Sequence, residues 1–219
     1  MGGHGIDIGS VIVQYICLLF SLCVHEAAHA LMADRCGDPS ARLMGRATLN
    51  PLPHIDPMGT VILPLFMMFT GIPFLFGWAK PVPFNPRNLR NMRRDPALIA
   101  LAGPMANLAM MVLFAIILRI VVVTMGLTPD ADGLNAVFMV VFSMVMINMA
   151  LMAFNLIPIP PLDGGHLLYP FLPAAGQRLI EQIGPFGIFI AIFVASRFLP
   201  GPLMFLQKMV LVFAFWGRI

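Results

Sequence analysis

Charge is scarce in this chain. Lysine, arginine, aspartate and glutamate together make up 11% of its 219 residues, where a soluble domain carries about 25%. Glutamate is rare, with only Glu26 and Glu181. Set against a 59% apolar content and a mean hydropathy of +0.90, this excludes water as the main solvent and implies a polytopic membrane protein. Cysteine is sparse as well. Cys17, Cys23 and Cys36 are odd in number and form no Cys-x-x-Cys pair, so no disulfide framework is expected. The first two lie in an apolar run and read as small packing residues. No soluble domain, internal repeat or low-complexity tract is visible. No basic segment precedes the first apolar run and no small-residue cleavage site follows it, so a cleaved leader is not expected.

The net charge of +3 and pI near 9.1 do not indicate nucleic acid. The basic residues sit in loops beside apolar runs, as the positive-inside rule requires. Run one spans about Ile8 to Met32, and a polar loop with Arg35, Arg42 and Arg46 follows. Run two, Met58 to Trp78, is broken by Gly59, Pro64, Gly71, Pro73 and Gly77. An interior proline costs a helix about 3 kcal/mol unless neighbours satisfy the backbone, so a hairpin or re-entrant element is expected there. Run three, Pro96 to Gly126, and run four, Leu134 to Ile157, are cleaner. The last third holds Gly184 to Leu199 and Leu203 to Trp216. The basic loop Lys80 to Arg94 belongs in the cytoplasm and the loop Thr128 to Gly133 outside. With run two re-entrant, runs one and four both end towards the cytoplasm; with run two spanning fully, the N-terminus moves inside, and the sequence alone does not choose between them. The 18 Met and 18 Phe read as packing and lipid-facing mass, and Lys80 to Arg94 also suits anionic headgroups.

The strongest chemical signal is His25-Glu26-Ala27-Ala28-His29. Residues four apart share a helix face, so both imidazoles can reach one metal ion, and Glu26 is placed to act as general base on an activated water. Coincidence is the bland reading. Two histidines and a glutamate within an apolar run are costly in a bilayer and functional by default. Such a site needs a third protein ligand. Asp163, directly after run four and the Pro158-Ile159-Pro160-Pro161 stretch, is the leading candidate. It could equally be a turn or cap residue.

Together, His25–His29 and Leu162-Asp163-Gly164 resemble the hallmarks of the site-2 proteases, a family of intramembrane zinc metalloproteases. Gly103-Pro104-Met105-Ala106-Asn107 is similar to the family's G-x-x-x-N motif. Gly45–Pro51, His54–Pro57 and Gly77–Pro86 resemble its compact prokaryotic branch. The likeness runs from about residue 20 to residue 170, and no PDZ or CBS domain accompanies it. It implies that Asp163 is the third ligand to one zinc ion per chain. It also implies hydrolysis of peptide bonds in transmembrane protein substrates, within or at the edge of the bilayer of a prokaryotic cell.

The expectation is therefore an all-α membrane protein: a polytopic helical bundle of about five to six spans with a short re-entrant or β-hairpin element near residues 41–80. It forms a single domain over 1–219, with a catalytic core at about 8–170 and C-terminal helices at about 176–217. The element near 41–80 could pair with an extended substrate by strand addition. Asn107 and Asn155 read either as helix–helix hydrogen bonders or as contacts to the substrate backbone or oxyanion, with Asn155 favoured because it lies eight positions before Asp163. His54 is open between bracing the site, donating to the transition state, and being a plain loop histidine; His166 is similarly open. Asp56 is placed to cap a turn, and Arg119 to snorkel or pair. Rival readings are a metal transporter or inactive zinc-binding scaffold, and a membrane zinc protease acting on processed C-termini. Substrate identity and oligomeric state are not legible.

Overall fold

Long uninterrupted apolar runs make the longest helices. A computed structural model describes residues 8–70, 77–128 and 136–217. Helix α1 covers Ile8–Arg35, and the short α2 covers Ser40–Leu43. Helix α3 is Leu63–Thr70, α4 is Arg94–Thr124 and α5 is Ala136–Asn155. Beyond them come α6 (Asp163–Leu168), α7 (Ala174–Ile183), α8 (Gly187–Phe198) and α9 (Pro200–Phe215). Among the described residues no strand forms. Gly71, Pro73, Asp130 and Asp132 lie outside them.

Among the described residues three helices are long and apolar enough to cross a bilayer, namely α1, α4 and α5. A fourth counts if α7 and α8, bent by 93°, form one broken span. The expected five to six spans are thus not all found. In the last third, Gly184 and Pro200 punctuate the chain, leaving α8 with 12 residues and α9 with 16, short of the ~20 a hydrocarbon core demands.

The three long helices form the frame. Leu18 and Leu22 of α1 pack with Ile147 and Leu151 of α5, and Cys17 meets Val140 while Ser21 meets Asn148, so these helices run parallel. Leu118 and Val122 of α4 pack with Phe138 and Val141 of α5, so α4 runs antiparallel to both. Ala27, Ala30 and Ala33 of α1, with Ala97 and Ala100 of α4, are all buried. Small residues let membrane helices approach closely. Arg119, within α4, donates to the carbonyls of Ala214 at 3.0 Å and Trp216 at 2.7 Å. It pairs, as one of its two readings held, and places a cation on the C-terminal end of α9 where the helix dipole favours it. The three cysteines are buried and unpaired.

The described part of residues 41–80 does not build the β-hairpin alternative. Their described part is α2, a 3₁₀ turn at Leu52–His54, a wide helical turn at Pro57–Ile62, and α3. Pro51, Pro53, Pro57 and Pro64 each remove a ladder donor, which a strand interior does not tolerate. Among the described residues, strand addition to this element therefore has no strand to add to. The described ends of the segment do meet. Trp78 N donates to Gly59 O at 3.2 Å, and Thr60 Oγ1 to Trp78 O at 2.8 Å. Both ends of the segment thus sit side by side. Asp56 caps its start, accepting from Met58 N and Gly59 N, and Tyr15 of α1 holds Thr60 O at 2.8 Å. A Cβ on Gly59 would stand 2.3 Å from the Trp78 ring, so only glycine admits the crossing.

The two basic loops lie on one side. Arg90 N donates to Cys36 O at 3.0 Å. Asp38, fully buried, accepts from Ser40 N and Oγ, Asn85 N and Asn88 Nδ2. Burial alone would raise its pKa, but these hydrogen bonds outweigh burial and hold the carboxyl below the usual carboxylate range.

Candidate metal centre

His25 and His29 project from one face of α1 towards α4. Opposite them, the chain turns sharply after α5 and returns as α6, which opens with Asp163. The Gly164-Gly165 pair makes that return possible. A Cβ on Gly164 would meet Ile157 O at 2.4 Å, and one on Gly165 would meet Pro160 N at 2.6 Å.

The result is a group of three ligand atoms from segments 138 positions apart (163 − 25). Nε2 of His25 lies 3.0 Å from Nε2 of His29, and the two lie 3.1 Å and 3.4 Å from carboxylate oxygens of Asp163. Both imidazoles are buried, and the Asp163 side chain is 17% exposed. Among the described residues this is the one group of three or more His, Cys, Asp or Glu with such convergence.

The hydrogen bonds behind the imidazoles say what those atoms are. Nδ1 of His29 faces Ile99 O at 2.7 Å. A carbonyl only accepts, so Nδ1 carries the proton and Nε2 of the neutral ring is a bare lone pair. Nδ1 of His25 faces Asn107 Oδ1 at 2.6 Å, which gives the same answer. Two lone pairs and a carboxylate then point at one another, and Asp163 Oδ2 is buried without a hydrogen-bond partner. Three such acceptors converging at one point suit a bound cation. Two donors ~2.0–2.1 Å from a tetrahedral zinc are ~3.3 Å apart, which the spacings here match. The residues fit zinc.

Glu26 follows His25 on α1 and is half-buried. No described residue makes a hydrogen bond or ion pair with it, leaving its carboxylate available. Gly103 of α4 provides the room: a Cβ there would stand 2.4 Å from His29 Nε2 and 2.5 Å from His25 Cε1.

The remaining candidates separate. Asn107 touches His25 and is fully buried, so its carbonyl braces an imidazole. Asn155 turns its amide back onto Leu151 O at 3.0 Å within its own helix. His54 is 2% exposed. Its Nε2 donates to Thr48 O at 3.0 Å, and its Nδ1 has no partner. It lines a small cavity with Leu22, Cys23 and Thr60, outside the ligand group. His166 is exposed and lines a separate cleft of about 320 Å³ with Pro160, Pro161, Tyr169 and Glu181.

Sequence reasoning missed Asn148 and Ser21. Asn107 Nδ2 donates to Asn148 Oδ1 at 2.9 Å, and Asn148 Nδ2 donates to Ser21 Oγ at 2.9 Å and Met144 O at 2.8 Å. The available signal was an amide in the apolar run of α5, seven positions before Asn155 and so on the same face.

Comparison with known proteins agrees with this geometry. The model of peptidase family M50 matches residues 13–195. Among curated proteins, the chain is similar to the "Putative zinc metalloprotease" YwhC of Bacillus subtilis, 34% identical over 183 residues, covering 82% of this chain and 78% of that protein. Proteins of the same description named Rip2 are similar too. The one from Mycolicibacterium smegmatis is 32% identical over 176 residues, covering 80% of this chain and 62% of that protein. The one from Mycobacterium tuberculosis is 32% identical over 171 residues, covering 78% and 61%. No solved structure matches.

Proposed function

Because the chain belongs to peptidase family M50, we propose that it is an intramembrane zinc metalloendopeptidase, cutting transmembrane protein substrates within or at the edge of a prokaryotic cell membrane. The observation that carries this reading is the convergence of two imidazole lone pairs and an unpartnered carboxylate oxygen at one point. His25, His29 and Asp163 would hold one zinc ion and leave a fourth position open, as catalytic zinc sites do. When bound, zinc polarises a scissile carbonyl and draws the pKa of water towards ~7. Glu26 acts as general base, taking the proton of the attacking water and delivering it to the leaving amine. Ile99 O and Asn107 keep the imidazoles turned towards the carboxylate.

The depth of the site supports a membrane-embedded substrate. His29 and His25 lie six and ten residues before the end of α1 at Arg35, or ~9 and ~15 Å along the axis. That is inside the apolar run but near its basic-loop end. A peptide bond in an intact helix is shielded, so the substrate unwinds before attack. Water reaches the site along a protein-lined path, with partly exposed Asp163 as its wet end.

Glu26→Gln tests the reading. The variant and wild type are co-expressed with a panel of single-span membrane proteins, and the zinc content of each purified protein is measured. The expected result is retained zinc and abolished cleavage. Retained turnover, or zinc loss with the fold intact, would sink the assignment.

A further inference from the structure

We propose that Asn148 is a positioning residue for the metal centre: acting through Asn107, it sets which nitrogen of His25 carries the proton and so leaves Nε2 bare towards Asp163. This rests on the zinc reading above. The backbone carbonyl of Met144 can only accept, so the part of Asn148 facing it at 2.8 Å is the NH₂ group. Asn148 Oδ1 is thereby turned towards Asn107, which must present its own NH₂ to it at 2.9 Å. Asn107 then has only Oδ1 left for His25 Nδ1 at 2.6 Å, and His25 must donate.

Each amide orientation is dictated by the one before it, starting from a backbone atom of α5 that cannot reverse its polarity. Asn107, Asn148 and Ser21 are all 0% exposed, so bulk water is not at hand to substitute for a missing partner. Without the acceptor on Asn148, the amide of Asn107 is free to turn over and present NH₂ to His25 Nδ1. The ring then keeps its proton on Nε2, where the metal must bind. Ser21 Oγ shares the NH₂ of Asn148 but does not set its direction, because the Met144 carbonyl already does.

Two amides joining α4 to α5 could also act simply as interhelical hydrogen bonds. That role lowers stability and leaves metal affinity alone, which separates the two. The test is zinc affinity by chelator competition, together with thermal unfolding of the metal-free protein in detergent. Wild type, Asn148→Leu, Asn148→Ala, Ser21→Ala, Asn107→Leu and Asn107→Leu/Asn148→Leu are compared. Leucine suits an apolar helix, and the alanine variant reads the same quantity if leucine overpacks. Loss of a ligand's bracing partner costs about 10–100-fold in metal affinity, and that loss is expected for both Asn148 variants. Ser21→Ala should stay within about 3-fold of wild type, and the double variant should bind no more weakly than Asn107→Leu alone, since the two act in series. Asn148 variants that bind zinc like wild type overturn the proposal, as does a double variant whose loss is the product of the single ones. Failure of wild type itself to bind zinc would overturn the functional reading with it. Tight wild-type binding that Asp163→Ala abolishes and Asn148→Leu does not would overturn this inference alone.

Discussion

Gly103 lies directly beneath His29: a Cβ at position 103 would stand 2.4 Å from Nε2, and 2.7 Å from Nε2 of His25. A methyl group there must push both imidazoles off the point where they meet Asp163. Alanine is intrinsically better in a helix than glycine by about 1 kcal/mol, so the helix itself does not suffer. Gly103→Ala is expected to lower zinc affinity by about tenfold or more while α4 still inserts and folds. Zinc content and circular dichroism of the purified variant check this. An unchanged zinc content would show that the imidazoles do not need this space.

The third ligand can be decided by comparison. Asp163→Ala removes the carboxylate whose Oδ2 has no hydrogen-bond partner, and zinc affinity should fall by at least about a hundredfold. His54→Ala and His166→Ala should bind zinc as wild type does, because both histidines lie outside the converging group. Wild-type affinity in Asp163→Ala, with loss in either histidine variant, would reverse the assignment.

The meeting of Gly59 with Trp78 predicts a sidedness. Trp78 N bonds Gly59 O, and Arg90 N bonds Cys36 O, so both basic loops sit at one end of the bundle. Single cysteines near positions 42 and 90 should label from the same face of sealed vesicles. The native cysteines are buried and give little background. Labelling from opposite faces would mean that the segment crosses the membrane.

Asp38 gives a pH dependence with a definite sign. Its carboxyl is held below the usual carboxylate range, so it contributes stability above the unfolded-state value near ~3.9. That contribution is lost as pH falls through the lower folded-state value. Asp38→Asn places an NH₂ group among donors from Ser40, Asn85 and Asn88. It should destabilise by about 1–3 kcal/mol at neutral pH, and the gap from wild type should close in acid. Thermal unfolding between about pH 7 and pH 2 measures it. A gap independent of pH would mean that the ionised form does not matter.

How far the molecule could be read from its residues follows from locality. The histidine pair was legible because four-residue spacing on a helix is a local fact. Asp163 was not legible from spacing alone, and the likeness to a known family had to single it out. Asn148 was passed over because nothing beside it in α5 tells which of several intramembrane amides meets Asn107. The extra spans came from counting the two last apolar runs, split at Pro200, as spans of their own, although the helices they form, of 12 and 16 residues, are short for a hydrocarbon core. The β alternative for residues 41–80 came from reading extended, broken sequence without counting the amide donors its prolines remove.

The wide separation of the ligands also has a consequence in time. At about 5–20 residues per second, the ribosome reaches Asp163 roughly 7–28 s after His25, since 138 positions lie between them. Through that interval α1 holds two histidines and a glutamate in the bilayer before Asn107, Asn148 and the Asp163 turn have been made. An ion arriving early would meet two imidazoles and no carboxylate. The complete ligand set, and with it any hydrolytic capacity, comes into being only once 163 of the 219 residues have been made, so the nascent chain cannot cut its neighbours while α1, α4 and α5 are being threaded into the membrane.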